Sequence, residues 1–332
     1  MDMRSFITRK IVYLIITLFA IIAFNFFLFR VMPGDPARVL VPRGGGPELI
    51  EAIRKSFHLD DPLYLQFWYY LRDVFTGNFG ISSSLWPRQP ISSVLVNPIF
   101  NTLLLVGIGT TLAIYLGVAL GRAAAWKRGK PVDTVGMAFA LVFYSMPTFL
   151  FALVMLMIFG GELKWFPIGG PYGFLPFDPV HHDYATMSLL NKIISRGYHL
   201  VMPVTAFTIE VMAEYALIMR NSLTDVLTED YIVTARAKGI SNEAILKNHA
   251  MKNAMLPVVT VAAISVGWVL GGDIMVELVF SYDGMGKVTW DAVNARDFPV
   301  LQALFLLMAI AVLFANLVAD IIYMYLDPRV TV

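Results

Sequence analysis

Long apolar stretches alternate with short polar segments along the whole chain. A helix needs about 20 apolar residues to cross the roughly 30 Å hydrocarbon core of a bilayer. Six stretches approach or exceed that length, and they are residues 9–31, 97–122, 133–160, 199–221, 255–280 and 299–326. The pattern therefore predicts an all-α integral membrane protein with six transmembrane helices.

The first apolar run, residues 11–29, follows three basic residues, as the core of a secretory signal peptide does. It is longer than the roughly 7–15 apolar residues of such a core, and no small-residue cleavage site follows it. The next segment is RVMPGDPARVL, whose prolines and glycine favour a turn. We therefore expect a retained transmembrane helix. We favour a structural stop over a ligand contact at residues 33–36.

Basic residues in the connections predict how the helices are oriented. Lys and Arg lie before the first stretch, between the second and third, between the fourth and fifth, and after the sixth. With six spans these segments share one side, and the positive-inside rule places that side and both termini in the cytoplasm. The loop 222–254 is then the largest cytoplasmic segment. We divide the chain into a first helix (1–31), an outer segment (32–96) and a five-helix core (97–332).

The composition is typical of a membrane protein and argues against several kinds of function. Of the 332 residues 15% are charged, against about a quarter in soluble domains, and 58% are hydrophobic. The formal net charge of +1 does not favour nucleic acid. The absence of cysteine excludes disulfides, thiolate metal sites and a cysteine nucleophile. Because no Gly-rich phosphate loop ends in Lys-Ser or Lys-Thr, we expect no ATP hydrolysis by this chain. We also expect it to bind no metal or cofactor.

The cytoplasmic loop contains the sequence DYIVTARAKGISNEAILKNHAMKNAMLPVVT. Helix-forming residues run up to Lys238, and Gly239 suits a left-handed helix end. Ser241 can cap a second helix, with Glu243 in its first turn. The pattern predicts a helix, a sharp turn and another helix. Two interpretations stay open: a solvated connection between spans, or a docking element whose small side chains let a partner's groove approach the backbone.

The same stretch resembles the signature loop of ABC-importer permeases, and more narrowly that of the dipeptide/oligopeptide class. The general pattern opens with Glu-Ala-Ala, where this chain has Val233, Thr234 and Ala235, and its Leu-Pro pair lies further downstream. Both departures are shared with the peptide class, and Gly239 matches. Five other segments resemble the family in order along the chain: RVMPGDPA, LDDPLYLQFWYYLRDVFTGNFGIS, SMPTFLFALVMLMIF, VELVFSYDGMGKVTWDAVNARDFPVLQ and DIIYMYLDPR.

The resemblance implies the type I importer fold and a permease subunit in the cell (inner) membrane that imports peptides by alternating access. Oligosaccharides or another small solute are the alternative cargo. The implied complex contains a second related permease, an external binding protein and two cytoplasmic ATPases that use ATP and Mg. A coupling helix would sit in a cleft on an ATPase, and it would involve Asp230, Tyr231, Thr234, Ala235, Arg236, Ala237, Lys238, Gly239 and Ile240.

Four carboxylates within the predicted spans are candidates for lining a transport pathway. Charged groups inside a membrane are costly, and they usually face the bundle interior or a water-filled path. Glu210 and Glu214 lie one turn apart in the fourth span, and Asp273 and Glu277 lie one turn apart near the outer end of the fifth. The alternative for Glu210 is pairing with another span, and for the second pair it is a partly hydrated helix end held by hydrogen bonds.

Other residues lead to mainly structural predictions. Pro147 predicts a kink in the third span, and the glycines of the second span predict close helix packing. Asp320 is expected to bond to neighbouring helices. His181 and His182 are adjacent and do not share a helix face, so we expect no zinc site. The aromatic stretch 59–71 is either a helix at the membrane interface or part of an outer domain that meets the binding protein.

Two rival classes of function require features that we do not find in the sequence. A secondary transporter needs no ATPase and often contains inverted repeats and broken helices near mid-membrane. An intramembrane hydrolase requires a nucleophile with its base, or a metal site, inside the bilayer. The sequence therefore favours the ATP-driven importer.

Overall fold

A computed structural model describes residues 3–31, 46–56, 59–173, 175 and 184–326. Across these ranges the chain is helical, and extended pairing is limited to an isolated bridge between Ile81 and Pro90. The predicted all-α fold is confirmed. The predicted stop at 33–36, the segment DPR near the end, His181 and His182 lie outside the described residues.

The described helices are numbered in chain order. Their bounds are α1 Met3–Val31, α2 Pro47–Ser56, α3 Leu63–Phe75, α4 Ile91–Val94, α5 Val96–Trp126, α6 Pro131–Ser145, α7 Thr148–Met155, α8 Leu189–Val226, α9 Asp230–Ala237, α10 Asn242–Ala244, α11 Met251–Trp268, α12 Ile274–Val279, α13 Met285–Ala295 and α14 Phe298–Leu326. Turns of π-helix continue α7 over Leu156–Glu162 and follow α10 over Ile245–Ala250.

Within the described residues, five helical segments are long and apolar enough to cross a membrane. They are Thr8–Arg30, Ile91–Trp126, Leu189–Val226, Asn242–Val279 and Phe298–Val318. A sixth span is obtained if Pro131–Ser145 and Thr148–Glu162, which are bent by 101° at their junction, count as one. All six predicted stretches are therefore found, and the second and fourth helices extend beyond the apolar residues at both ends.

Two of the spans are broken. Pro147 has no amide hydrogen and restrains Met146 to an extended conformation, so α6 ends at Ser145 and α7 begins after the proline. The predicted kink is confirmed, and it is a full break. The fifth stretch was expected as one span over 255–280, but Gly272 adopts a φ of 72° and separates α11 from α12.

The centre of the fold is the contact between α5 and α8, where the backbones approach closely. A Cβ atom added to Gly117 would lie 2.6 Å from the Met212 carbonyl oxygen, and one added to Gly121 would meet the Ala216 carbonyl oxygen. Side chains are therefore excluded at both positions. The predicted close packing of the second span is confirmed, although Gly107 faces open space.

Helices α1 and α3 lie on one flank of this core. The Lys10 ammonium pairs with Asp320 of α14 at 2.6 Å, so the prediction for Asp320 is confirmed. Phe67 of α3 packs edge-on against Phe26 of α1, while Trp68 on the same helix is 61% exposed. An amphipathic helix at the membrane interface has this arrangement.

Candidate functional site

The loop 222–254, which we call the coupling loop after the role that the resemblance implies, has the local structure that its sequence predicts. Helix α9 ends at Ala237, and Gly239 follows in the left-handed region with a φ of 78°. The Gly239 amide donates to the Arg236 carbonyl at 2.9 Å, which closes the turn. The Ser241 hydroxyl accepts a hydrogen bond from the Ala244 amide and caps the second helix. The predicted helix, sharp turn and helix are confirmed.

One face of α9 is anchored in the protein. Ile232 is fully buried and Ala235 is 7% exposed, and both belong to a hydrophobic cluster with Leu223 of α8 and Ala254 of α11. Ile240, after the turn, packs against the same cluster. The resemblance to ABC-importer permeases implied that Ala235 takes part in the contact with a partner. In the structure the Ala235 side chain instead points inward. It lies three residues after the buried Ile232, and residues three apart on a helix share a face.

The opposite face of α9 is exposed. Among the predicted coupling residues, the exposed ones are Asp230, Tyr231, Thr234, Arg236, Ala237, Lys238 and Gly239. Val233 was not among the predicted residues, yet it is 55% exposed and lies one turn before Ala237. Asp230, Val233, Thr234 and Ala237 therefore form a continuous stripe, which we call the docking stripe. The spacing of Ile232 and Ala235 in the sequence was the signal that could have identified it.

An ion pair next to the loop was missed by the sequence analysis. The Arg220 guanidinium near the cytoplasmic end of α8 donates to both carboxylate oxygens of Asp133 on α6, at 2.6 and 3.0 Å. The Gly129 amide donates to the same carboxylate at 3.0 Å. Two parallel bonds of this kind fix geometry as well as charge. They tie the first half of the broken third span to α8.

The structure places Glu210 and Asp273 on elements that pack against each other. Glu210 is half-buried on α8 and lies near the side chain of Thr148, the first residue of α7. Asp273 caps α12 by accepting from the Met275 and Val276 amides, and both α7 and α12 pack against α8, which carries Glu210. The breaks in the third and fifth spans thus face the middle of α8. Glu214 is half-buried one turn further along α8.

Glu277 occupies a different environment from the other three. It is fully buried, and it accepts hydrogen bonds from the Thr102 hydroxyl at 2.9 Å and the Lys287 amide at 2.8 Å. A Cβ atom added to Gly284 would lie 2.5 Å from the Glu277 carboxyl carbon. Glu277 therefore joins α5, α12 and α13 inside this chain. Glu277 has no exposed surface, so the alternative of a partly hydrated helix end does not apply to it.

A second buried carboxylate, Asp297, lies in the short connection before α14. It accepts from the Ser82 hydroxyl at 2.6 Å and from the Ser84 and Leu85 amides at 2.9 Å each. Burial raises its pKa, but these donors outweigh burial, and the pKa lies below its ordinary value. The contact joins two segments that resemble the permease family and lie far apart in the sequence, one ending in GNFGIS and the other containing NARDFPV.

The segment between α7 and α8 is fastened to α8 by Arg196. Its guanidinium donates to the Tyr184 hydroxyl at 2.9 Å and to the Asn101 carboxamide oxygen at 3.0 Å, and it lies 4.8 Å from the ring centre of Tyr172. Cations stack favourably on aromatic faces. Arg196 of α8 therefore joins Tyr172 and Tyr184 of this segment to Asn101 of α5.

Comparisons with known proteins agree with this arrangement. The glutathione transport system permease proteins GsiC of Escherichia coli (strain K12) and Salmonella typhimurium (strain LT2) are each 33% identical to this chain over 328 residues, covering 99% of both sequences. A chain of the MetNI methionine ABC transporter, solved in inward facing conformations, is 17% identical with a TM-score of 0.55. The match covers 72% of this chain and 99% of that one, and it shows the all-α permease fold.

Two family models together match nearly the whole chain. The model for the N-terminal part of binding-protein-dependent transport system membrane components matches residues 3–113. The model for the inner membrane component of these systems matches residues 113–332. Their boundary falls within α5, so both models include part of the central helix. The chain belongs to the family of binding-protein-dependent transport system inner membrane components, and it is a multi-pass permease of the inner membrane.

Proposed function

We propose that this chain is a permease subunit of an ATP-driven ABC importer for short peptides. The observation that carries the proposal is the full-length similarity, 33% identity over 99% of both chains, to permeases named for glutathione transport. Glutathione is a tripeptide, so peptides are the first cargo to test. Oligosaccharides remain the alternative cargo within the same machine.

The proposed complex contains a second related permease, two cytoplasmic ATPases and an external binding protein. The docking stripe supports the ATPase contact, because its side chains are exposed while the other face of α9 is anchored. Val135 and Tyr144 on α6 are 66% and 56% exposed, which suits contact with lipid or a second membrane subunit. We expect ATP and Mg to be bound by the ATPases and not by this chain.

The anchoring of α9 suggests how ATPase motion would reach the spans. Ile232 packs in the cluster that contains Leu223 of α8, and α8 carries Glu210 near its middle. A displacement of α9 would move α8 relative to the breaks at Thr148 and Asp273. Such coupling requires that the docking stripe binds the open and closed ATPase arrangements with different affinity.

We propose that Glu210 lines the translocation pathway between the two permeases, with Glu214 and Asp273 as further candidates. Glu210 is only half-buried, and its position near Thr148, at the break in the third span, supports this assignment. A partly accessible carboxylate at a helix break can contact a cationic or hydroxylated solute.

The test is ATP-driven uptake by the reconstituted complex with its cognate binding protein. A mixed pool of short peptides and a mixed pool of oligosaccharides are offered separately. Peptide uptake supports the proposal. Sugar uptake without peptide uptake would contradict the proposed substrate but not the proposed ATP-driven importer. Uptake of either pool without ATP would contradict the ATP-driven importer.

A further inference from the structure

A cavity of about 540 Å³ lies where the cytoplasmic end of α5 meets the second helix of the coupling loop. Its lining residues are Arg122, Ala123, Trp126, Glu243, Leu246, Lys247 and Met251. None of them belongs to α9, so the cavity is separate from the docking stripe. Its volume is within the range of about 300–1,000 Å³ that small-molecule sites occupy.

The cavity carries two cations without protein partners. Arg122 and Lys247 are both exposed, and neither side chain forms an ion pair or hydrogen bond within the part of the chain that the structure describes. The one carboxylate in the lining, Glu243, is exposed and is likewise unpaired among the described residues. Two cations and one carboxylate leave a net charge of +1, which favours an anion.

The remaining wall of the cavity is apolar and lies at a defined depth. Ala123, Leu246 and Met251 supply aliphatic surface, and Trp126 is the last residue of α5. Because α5 spans the membrane, its final turn reaches the boundary between hydrocarbon and water, where tryptophan is favoured. The ligand should therefore have an anionic group with apolar chain next to it.

We propose that this cavity binds the headgroup of an anionic phospholipid from the cytoplasmic leaflet. The phosphate would lie between Arg122 and Lys247, and the first methylenes of the acyl chains would follow Ala123, Leu246 and Met251. Basic pockets between membrane helices on the cytoplasmic side suit anionic lipid headgroups. The lipid would join the end of α5 to the coupling loop.

The test uses the full chain in its purified complex, with bound lipid measured by native mass spectrometry after exchange into phosphatidylglycerol and phosphatidylcholine mixtures. Arg122→Gln and Lys247→Gln should each lower phosphatidylglycerol retention by about fivefold, since each removes a direct ion pair with the phosphate that contributes about 1 kcal/mol. Glu243→Gln should raise retention because it removes a repelling charge.

The matched control is the double variant Lys127→Gln and Lys252→Gln. It removes two exposed cations from the same connections, but neither lines the cavity, so retention should be unchanged. Equal loss in the control would show a diffuse charge effect and overturn the site.

Displacement of the lipid by inorganic phosphate alone would assign the cavity to a free anion. Loss of a copurifying ATPase with lipid retention unchanged would assign it to a protein partner. Either outcome overturns the lipid proposal.

Discussion

The outer end of the molecule and the coupling loop use charged residues in opposite ways. At the outer end, Glu277 and Asp297 are completely buried, and each accepts at least two hydrogen bonds from distant segments. In the coupling loop, Asp230, Arg236 and Lys238 are exposed around an apolar anchor. Glu277 therefore holds helices of this chain together, whereas the exposed face of an anchored helix is a surface that a partner can reach.

The largest effect is expected from Glu277→Ala, which tests the structural end of the comparison. The change leaves the Thr102 hydroxyl and the Lys287 amide without their acceptor. Each buried unpaired group costs about 1–3 kcal/mol, so we expect roughly 4 kcal/mol of lost stability. Thermal unfolding of the purified complex measures it. The control Asp283→Ala removes an exposed carboxylate nearby and should cost far less. Equal stability of Glu277→Ala and wild type would contradict the buried role.

Ala237→Glu tests the coupling-loop side of the comparison. Ala237 lies in the docking stripe, where a partner's groove would bury the new charge without a counter-ion. An unpaired buried charge costs about 3 kcal/mol, which corresponds to roughly 100-fold weaker docking. We expect uptake to be lost while the permease remains folded. Asn242→Glu, an exposed position outside α9, is the control for charge alone. Unchanged ATP-coupled transport in the Ala237 variant would remove the docking stripe from the mechanism.

Asp297 adds a pH dependence to the outer end. Its folded-state pKa is lowered, so its stabilisation is present above the ordinary aspartate pKa of about 4 and is lost as the pH falls through the lowered value. Asp297→Asn should lower the stability by about 2 kcal/mol at neutral pH. An amide nitrogen in place of a carboxylate oxygen cannot accept the hydrogen bonds that the Ser82 hydroxyl and the Leu85 amide donate.

Thermal midpoints measured between neutral and acidic pH check this expectation. The difference between wild type and Asp297→Asn should narrow as the pH falls below about 4. A difference that stays constant across this pH range would show that the carboxylate charge does not stabilise the outer end.

The smallest expected effect concerns Glu210, which belongs to neither pattern because it is half-buried on α8 near Thr148. Glu210→Gln should leave thermal stability unchanged and lower peptide uptake by about fivefold, the equivalent of roughly 1 kcal/mol in one polar contact. A large loss of stability in Glu210→Gln would show that Glu210 stabilises the fold, as we expect for Glu277 and Asp297.

Much of the architecture was predictable because it depends on local properties. Apolar length identifies a span, basic residues in the connections predict its orientation, and Gly239 and Ser241 define a turn through their own backbone preferences. The break at Pro147 follows in the same way from one missing amide hydrogen. Each of these signals is contained in a few neighbouring residues.

The roles of the charged residues depended instead on partners far away in the sequence. Thr102 and Glu277 are separated by 175 positions, Ser82 and Asp297 by 215, and Asp133 and Arg220 by 87. The sequence by itself determined the class of protein, its spans and its exposed loop, since hydropathy and helix periodicity act locally. Only the tertiary structure decided which carboxylates are enclosed and which remain accessible, because the cost of burying a charge depends on donors that folding brings together.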